Sequence, residues 1–138
     1  MLTLKQIVQK TDPVRIANSK FVRIIKFKSG YTPRGTGYAA CQSYSTHHYD
    51  SKGRRVINPD KTKYVTVVEF LDKKLHVNVS CSCSDFMYSF EVALHKKGAA
   101  DIEYSNGMSP DVRNPAHTTA CCKHLVQLYF RIRNKLVT

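Results

Sequence analysis

Residues 64–83 read YVTVVEFLDKKLHVNVSCSC, and the fold turns on how this stretch is read. Two runs rich in β-branched and aromatic residues, 64–71 and 75–83, are separated only by Asp72-Lys73-Lys74, a spacing that predicts a β-hairpin. In the second run Leu75, Val77, Val79, Cys81 and Cys83 share one parity, and His76, Asn78, Ser80 and Ser82 share the other. Successive strand residues point to opposite faces, so the two cysteines continue the buried face. Whatever they bind sits at the end of the core.

Downstream, Phe86, Phe90, Ala93 and Leu94 in residues 85–97 recur at helical spacing with a basic end, and Gly98 is placed to terminate that helix. Residues 99–119 hold Asn106-Gly107, Pro110 and Asn114-Pro115 and predict turns, with one short strand around Ile102 and Tyr104. Leu125, Leu128, Tyr129, Ile132 and Leu136 then give the strongest helical periodicity in the chain, a C-terminal helix over 121–136.

Upstream, Thr3 caps a short helix over 3–10, and Thr11-Asp12-Pro13 stops it or caps a successor. Residues 21–28 (FVRIIKFK) predict a strand ended by Ser29-Gly30, with a loop from Tyr31 to Gly37. Residues 38–49 are compatible with another strand. Asp50-Ser51-Lys52-Gly53 is a turn, and residues 54–63 form a loop or a short edge strand.

The chain has 138 residues with 42% hydrophobic composition, enough for one core and one domain. Its apolar runs fall short of the roughly 18 residues that a membrane span requires, and no charged-then-apolar leader stands out. The expectation is a soluble, unexported, cytoplasmic protein with no membrane partner. Five cysteines are too few for a disulfide-stapled fold, and an odd number leaves one thiol unpaired.

The formal charge of +12 is large for the size and unevenly spread. Residues 1–63 carry 13 basic and 3 acidic side chains, residues 84–120 carry 3 basic and 5 acidic, and residues 121–138 carry 4 basic and none acidic. Such a field attracts polyanions, of which nucleic acid is the commonest in a cytoplasm; an acidic protein surface is the other class.

The chemistry lies in Cys81-x-Cys83 and Cys122-x-His124. Zinc needs four converging soft or borderline donors, at about 2.3 Å for sulfur and about 2.0 Å for imidazole nitrogen. A Cys-x-Cys at a strand end supplies two, with Ser82 and Ser84 suited to the bend. Cys122-Lys123-His124, at the mouth of the last helix, supplies two more, and the helix dipole there favours thiolates. Three thiolates and one histidine close the shell, so one structural Zn2+ and no catalytic role is expected. Cys121 adjoins Cys122 and is the alternative ligand, but only Cys122 leaves a one-residue gap to His124. Cys41 has no partner by spacing and is expected to be a core thiol. His47 and His48, adjacent on a strand, point to opposite faces, and His117 is a loop histidine near the site.

This order, with a hairpin before and a helix after, resembles the SWIM-type zinc finger, whose pattern is Cys-x-Cys, a variable spacer, then Cys-x-His in a ββα arrangement. The resemblance covers about residues 64–136 and implies an α+β fold: an antiparallel β-sheet with a zinc-stapled ββα unit and a C-terminal helix. The spacer of 38 residues is longer than that family's usual one, which makes residues 84–120 an insert in a unit of residues 64–138 that follows a basic part, 1–63. The insert's wording, from Asp85-Phe86 to Asn114-Pro115, also looks like that of small proteins of tailed bacteriophages.

The combined expectation is a non-catalytic, nucleic-acid-binding domain with DNA favoured over RNA. No Gly-rich phosphate loop, His-Glu-x-x-His or carboxylate cluster points to an enzyme. Tyrosines and cations interleave from Tyr31 to Arg55, a mixture suited to phosphates and stacked bases. Arg34, Arg54 and Arg55 are the candidate contacts there, with Lys123, Arg131, Arg133 and Lys135 on the last helix. The rival expectation is a small phage structural component docked on a virion or host protein.

Overall fold

The computed structural model describes residues 1–59, 61–103, 105, 107 and 113–136. It is an α+β protein built on an antiparallel sheet in the order β1-β2-β5-β6: β1 (Val22–Tyr31), β2 (Gly37–Ser45), β5 (Tyr64–Phe70) and β6 (Val77–Cys81). Between β2 and β5 the chain makes a second, two-stranded sheet from β3 (His47–Tyr49) and β4 (Arg55–Ile57). Residues 38–49, expected as one strand, thus divide between two sheets at Thr46. There the Thr46 N–H and hydroxyl both donate to the Phe21 carbonyl, at 3.0 and 3.2 Å, which turns the chain away.

The hairpin forms as its pattern requires, with Val68 opposite Val79 and Thr66 opposite Cys81. Its connection is longer than the three residues read as the turn. Leu75 adopts φ 64°, and Asp72 Oδ1 accepts from the Lys74 and His76 amides, so β6 starts only at Val77. Val77, Val79, Cys81 and Cys83 are all buried on one face, as their parity dictates. The open side of β6 is closed by N–H bonds from Val77 to the Leu2 carbonyl and from Val79 to the Ala99 carbonyl, both 2.8 Å.

Helices cover the inner face of the sheet. Thr3 caps α1 (Leu4–Gln9) in a full capping box with Gln6, and Asp12 caps α2 (Pro13–Asn18) with Pro13 in its first turn. The C-terminal helix α5 (Lys123–Ile132) sinks Leu125, Val126, Leu128 and Ile132 into the core and continues as a 3-10 turn, Arg133–Lys135. Each such side chain contributes about 1.5–3 kcal/mol through its removal from water.

The helix expected over 85–97 is two: α3 (Ser84–Ser89) and α4 (Glu91–His95), broken at Phe90, where φ is −124°. One amphipathic stripe would leave half of α4 in water, whereas Glu91, Val92, Ala93 and Leu94 are all buried. Ile102 lies in no strand, and Tyr104 falls outside the described residues. The backbone there is used otherwise: the Glu103 and Ser105 amides donate to Glu91 Oε1, at 3.2 and 2.8 Å. Glu91→Ala is therefore expected to cost about 2–4 kcal/mol, since it orphans two donors and leaves a cavity. Denaturant unfolding measures the loss, and hydrogen exchange should show the Glu103 and Ser105 amides released first.

Arg15 ties the N-terminal segment to the insert. It donates to both oxygens of Asp85, at 2.6 and 2.8 Å, and to Asp12 Oδ1 at 2.6 Å, while its guanidinium lies 4.7 Å from the centre of the Phe90 ring. Burial alone would raise the Asp12 carboxyl, but the Arg15 bonds outweigh it and hold it below the usual range.

Candidate metal centre

Four buried side chains meet where β6 ends and two helices begin. Cys81 is the last residue of β6, Cys83 is the N-cap of α3, Cys122 is the N-cap of α5, and His124 lies in the first turn of α5. Their donor atoms all lie within 4.8 Å of one another, and none of the four residues is more than 3% exposed. Two sulfurs on a tetrahedral metal stand about 3.8 Å apart, so this spacing needs little adjustment to close around an ion.

Each donor is aimed by local structure. Strand parity points Cys81 inward, where its sulfur sits 3.4 Å from the Thr66 hydroxyl. The Phe86 N–H donates to Cys83 Sγ at 3.3 Å, a contact that favours negative charge on the sulfur. Cys122 makes no capping bond of its own, so its sulfur is turned to the cluster. The His124 ring stacks at a tilt on Tyr64 of β5, with centroids 5.0 Å apart. Neither of its buried ring nitrogens forms a well-made hydrogen bond with a described residue, although the ring lies against the Cys83 sulfur. A buried orphaned imidazole is costly, and a metal ion would satisfy it.

The thiols show the same need. Burial would push Cys81 up, but bonds from Cys122, Cys83 and Thr66 bring it well below a free thiol. Burial first, then the hydrogen bonds and charge at the neighbouring Cys81 and Cys83 sulfurs, push Cys122 far the other way. Cys83 is helped by Cys122, yet Cys81 and burial outweigh that help and leave it raised. Burial and the neighbouring sulfurs thus hold the Cys83 and Cys122 thiols back from ionising. A divalent ion would supply the charge that lets all three ionise, and the donor set fits a metal on this ground as well as on spacing.

Cys121 does not join them. Its sulfur sits 3.5 Å from the Thr11 hydroxyl, its N–H donates to the same oxygen at 3.1 Å, and burial pushes its thiol up to about 12. Cys41 is a buried thiol on the inner face of β2, pushed by burial up to about 11. His117 lies outside the cluster, with its Nδ1 3.0 Å from Lys96 Nζ.

The seven cations named as nucleic-acid contacts are not gathered in one place. Arg34, in the β1–β2 turn, is paired with Glu69 at 2.6 Å, and Arg54, in the β3–β4 turn, with Asp50 at 2.9 Å. These two turns lie beyond opposite ends of β2. Arg55 is exposed on β4. Lys123 is half-buried beside the cluster, and burial lowers its pKa. Arg131 and Arg133 lie over the Phe27 and Phe130 rings, and Lys135 is exposed. Sequence reasoning passed over Arg23, Lys26 and Lys28, all exposed on β1. The alternation of Lys26 and Lys28 around Phe27 was the available signal.

No helix among the described residues is long and apolar enough to cross a membrane. No protein-family model matches the chain, and neither a curated protein nor a solved structure matches it.

Proposed function

We propose that this chain is a non-catalytic nucleic-acid-binding domain stapled by one structural zinc ion on Cys81, Cys83, Cys122 and His124. The observation that carries the metal is the buried cluster of four donors with an orphaned imidazole. Three sulfurs and one nitrogen favour zinc, and four protein ligands leave no position for substrate, so the ion acts on stability and not on chemistry. Metal analysis and X-ray absorption of protein purified without chelator should give one zinc per chain in a three-sulfur, one-nitrogen shell. A metal content near zero, or a shell rich in oxygen, overturns the assignment.

The nucleic-acid partner is supported by the +12 charge and its concentration in residues 1–63. DNA is favoured over RNA. The test is salt dependence, because releasing counterions from several phosphates makes affinity fall steeply as salt rises, whereas a shape-complementary protein interface does not require it. Replacing Arg34, Arg54 and Arg55 by Ala should lower the slope of log affinity against log salt by roughly one unit per lost phosphate contact, with the metal retained. Arg34 and Arg54 must exchange a carboxylate for a phosphate to contribute, so the smallest change belongs to these two. Protein with no salt-sensitive binding to any DNA or RNA would instead be a module that docks on an acidic protein.

A further inference from the structure

Among the described residues, helices cover one face of the four-stranded sheet and leave the other without a helix. On the other, none of the outward side chains of β2 and β5 (Tyr38, Ala40, Gln42 and Tyr44; Val65, Val67 and Glu69) is buried. The register lays them in cross-sheet rows. Lys28, Ala40, Val67 and Ser80 form one, and Lys26, Gln42 and Val65 the next. Tyr38 flanks these rows at one end, and Tyr44, paired with Arg23, at the other. Between the tyrosines the small side chains leave a shallow depression of about 760 Å³ lined by Ile25, Lys26, Lys28, Ala40, Gln42 and Val65.

We propose that this uncovered face binds single-stranded nucleic acid, with Arg23, Lys26 and Lys28 on phosphates and the Tyr38 and Tyr44 rings stacked on bases. The inference rests on the nucleic-acid reading above and names its surface. Three features select this occupant. Arg23, Lys26 and Lys28 are exposed and make no ion pair with a described residue, unlike Arg34 and Arg54. Charge is graded across the face: cations line β1, whereas Glu69, Asp101 and Glu103 line a second, smaller depression beside β6, so an anionic backbone is steered toward β1. The tyrosines are about 20 Å apart along β2 at ~3.3 Å per residue, room for a few splayed nucleotides between two stacking platforms. A duplex keeps its bases inside and has no use for such rings.

Each ring also has a structural task, since Tyr38 lies across Gly30, 3.5 Å from where a Cβ would stand, and Tyr44 receives Lys61 Nζ 5.6 Å from its centroid. Leucine keeps the apolar cover and removes the stacking face, so Tyr38→Leu and Tyr44→Leu separate the two roles. The probes are fluorescent twelve-nucleotide oligo-dT and oligo-U and a duplex of equal length, titrated by anisotropy at several salt concentrations. Each leucine variant should weaken single-strand binding by about five- to hundredfold. Lys26→Ala with Lys28→Ala, on exposed positions that threaten no packing, should reduce the salt slope by about 1.4. The two oligonucleotides together show whether the strand is DNA or RNA. Unchanged affinity and slope in all these variants, while the parent still binds, overturns this surface and leaves the general reading standing. Tighter binding of the duplex than of either single strand overturns it too. No salt-sensitive binding of any probe by the parent overturns both.

Discussion

Cys83→Ser and His124→Ala should each unfold the chain at least from β6 through α5. The end of β6 and the start of α5 are brought together by a cluster in which every donor is buried. A structural zinc site contributes on the order of 10 kcal/mol to folding, comparable to the roughly 5–15 kcal/mol that a whole domain commands. Removing one ligand does more than delete a bond. It leaves buried thiols that resist ionisation and, in Cys83→Ser, an imidazole with unsatisfied nitrogens. Hydrogen exchange should therefore lose protection across residues 77–81 and 123–132 together, and a strong chelator should reproduce the effect on the parent. Native-like protection in either variant would show that the apolar core suffices and that the metal is incidental.

The second large effect separates two adjacent cysteines. Cys122→Ala should abolish metal binding and unfold the same region, while Cys121→Ala should keep the metal and cost on the order of 1 kcal/mol, the loss of one small buried group. The cause is one residue of register: Cys122 caps α5 with its sulfur in the cluster, and Cys121 faces Thr11. Metal content and thermal unfolding of the two proteins, compared side by side, read the difference. Retention of metal by Cys122→Ala would mean that Cys121 swings in as a ligand.

What was legible in the sequence follows from what is local. Strand parity put Val77, Val79, Cys81 and Cys83 on one buried face, and the helical period of Leu125, Leu128 and Ile132 fixed α5; both signals are carried by neighbours in the chain. The four-donor cluster was legible because each half is a short motif at an element end. The break at Phe90 was not, since periodicity assumes one exposed face and α4 has almost none. Nor was the Arg15–Asp85 pair, whose members stand 70 residues apart with nothing in either neighbourhood to announce the other. The division of residues 38–49 between two sheets depends on a carbonyl of Phe21, 25 residues before Thr46 and just as unannounced by it. Among the cations, counting charge located the basic half but could not say which side chains were already engaged by Glu69 or Asp50.

The insert, residues 84–120, is flanked by Cys83 and Cys122, two residues whose sulfurs are held within 4.8 Å of each other. With the proposed metal bound, its ends are clasped whatever lies between them. Closing a loop becomes costlier only with the logarithm of its length, so doubling this one would add about 0.6 kcal/mol, small against the energy of the clasp. Among the described residues β6 meets the insert's backbone at Ala99, so sequence added beyond that contact would disturb the sheet least. New sequence spliced in there would leave the sheet, the final helix and the outer sheet face in place, which makes the clasp a device for evolvability as well as for stability.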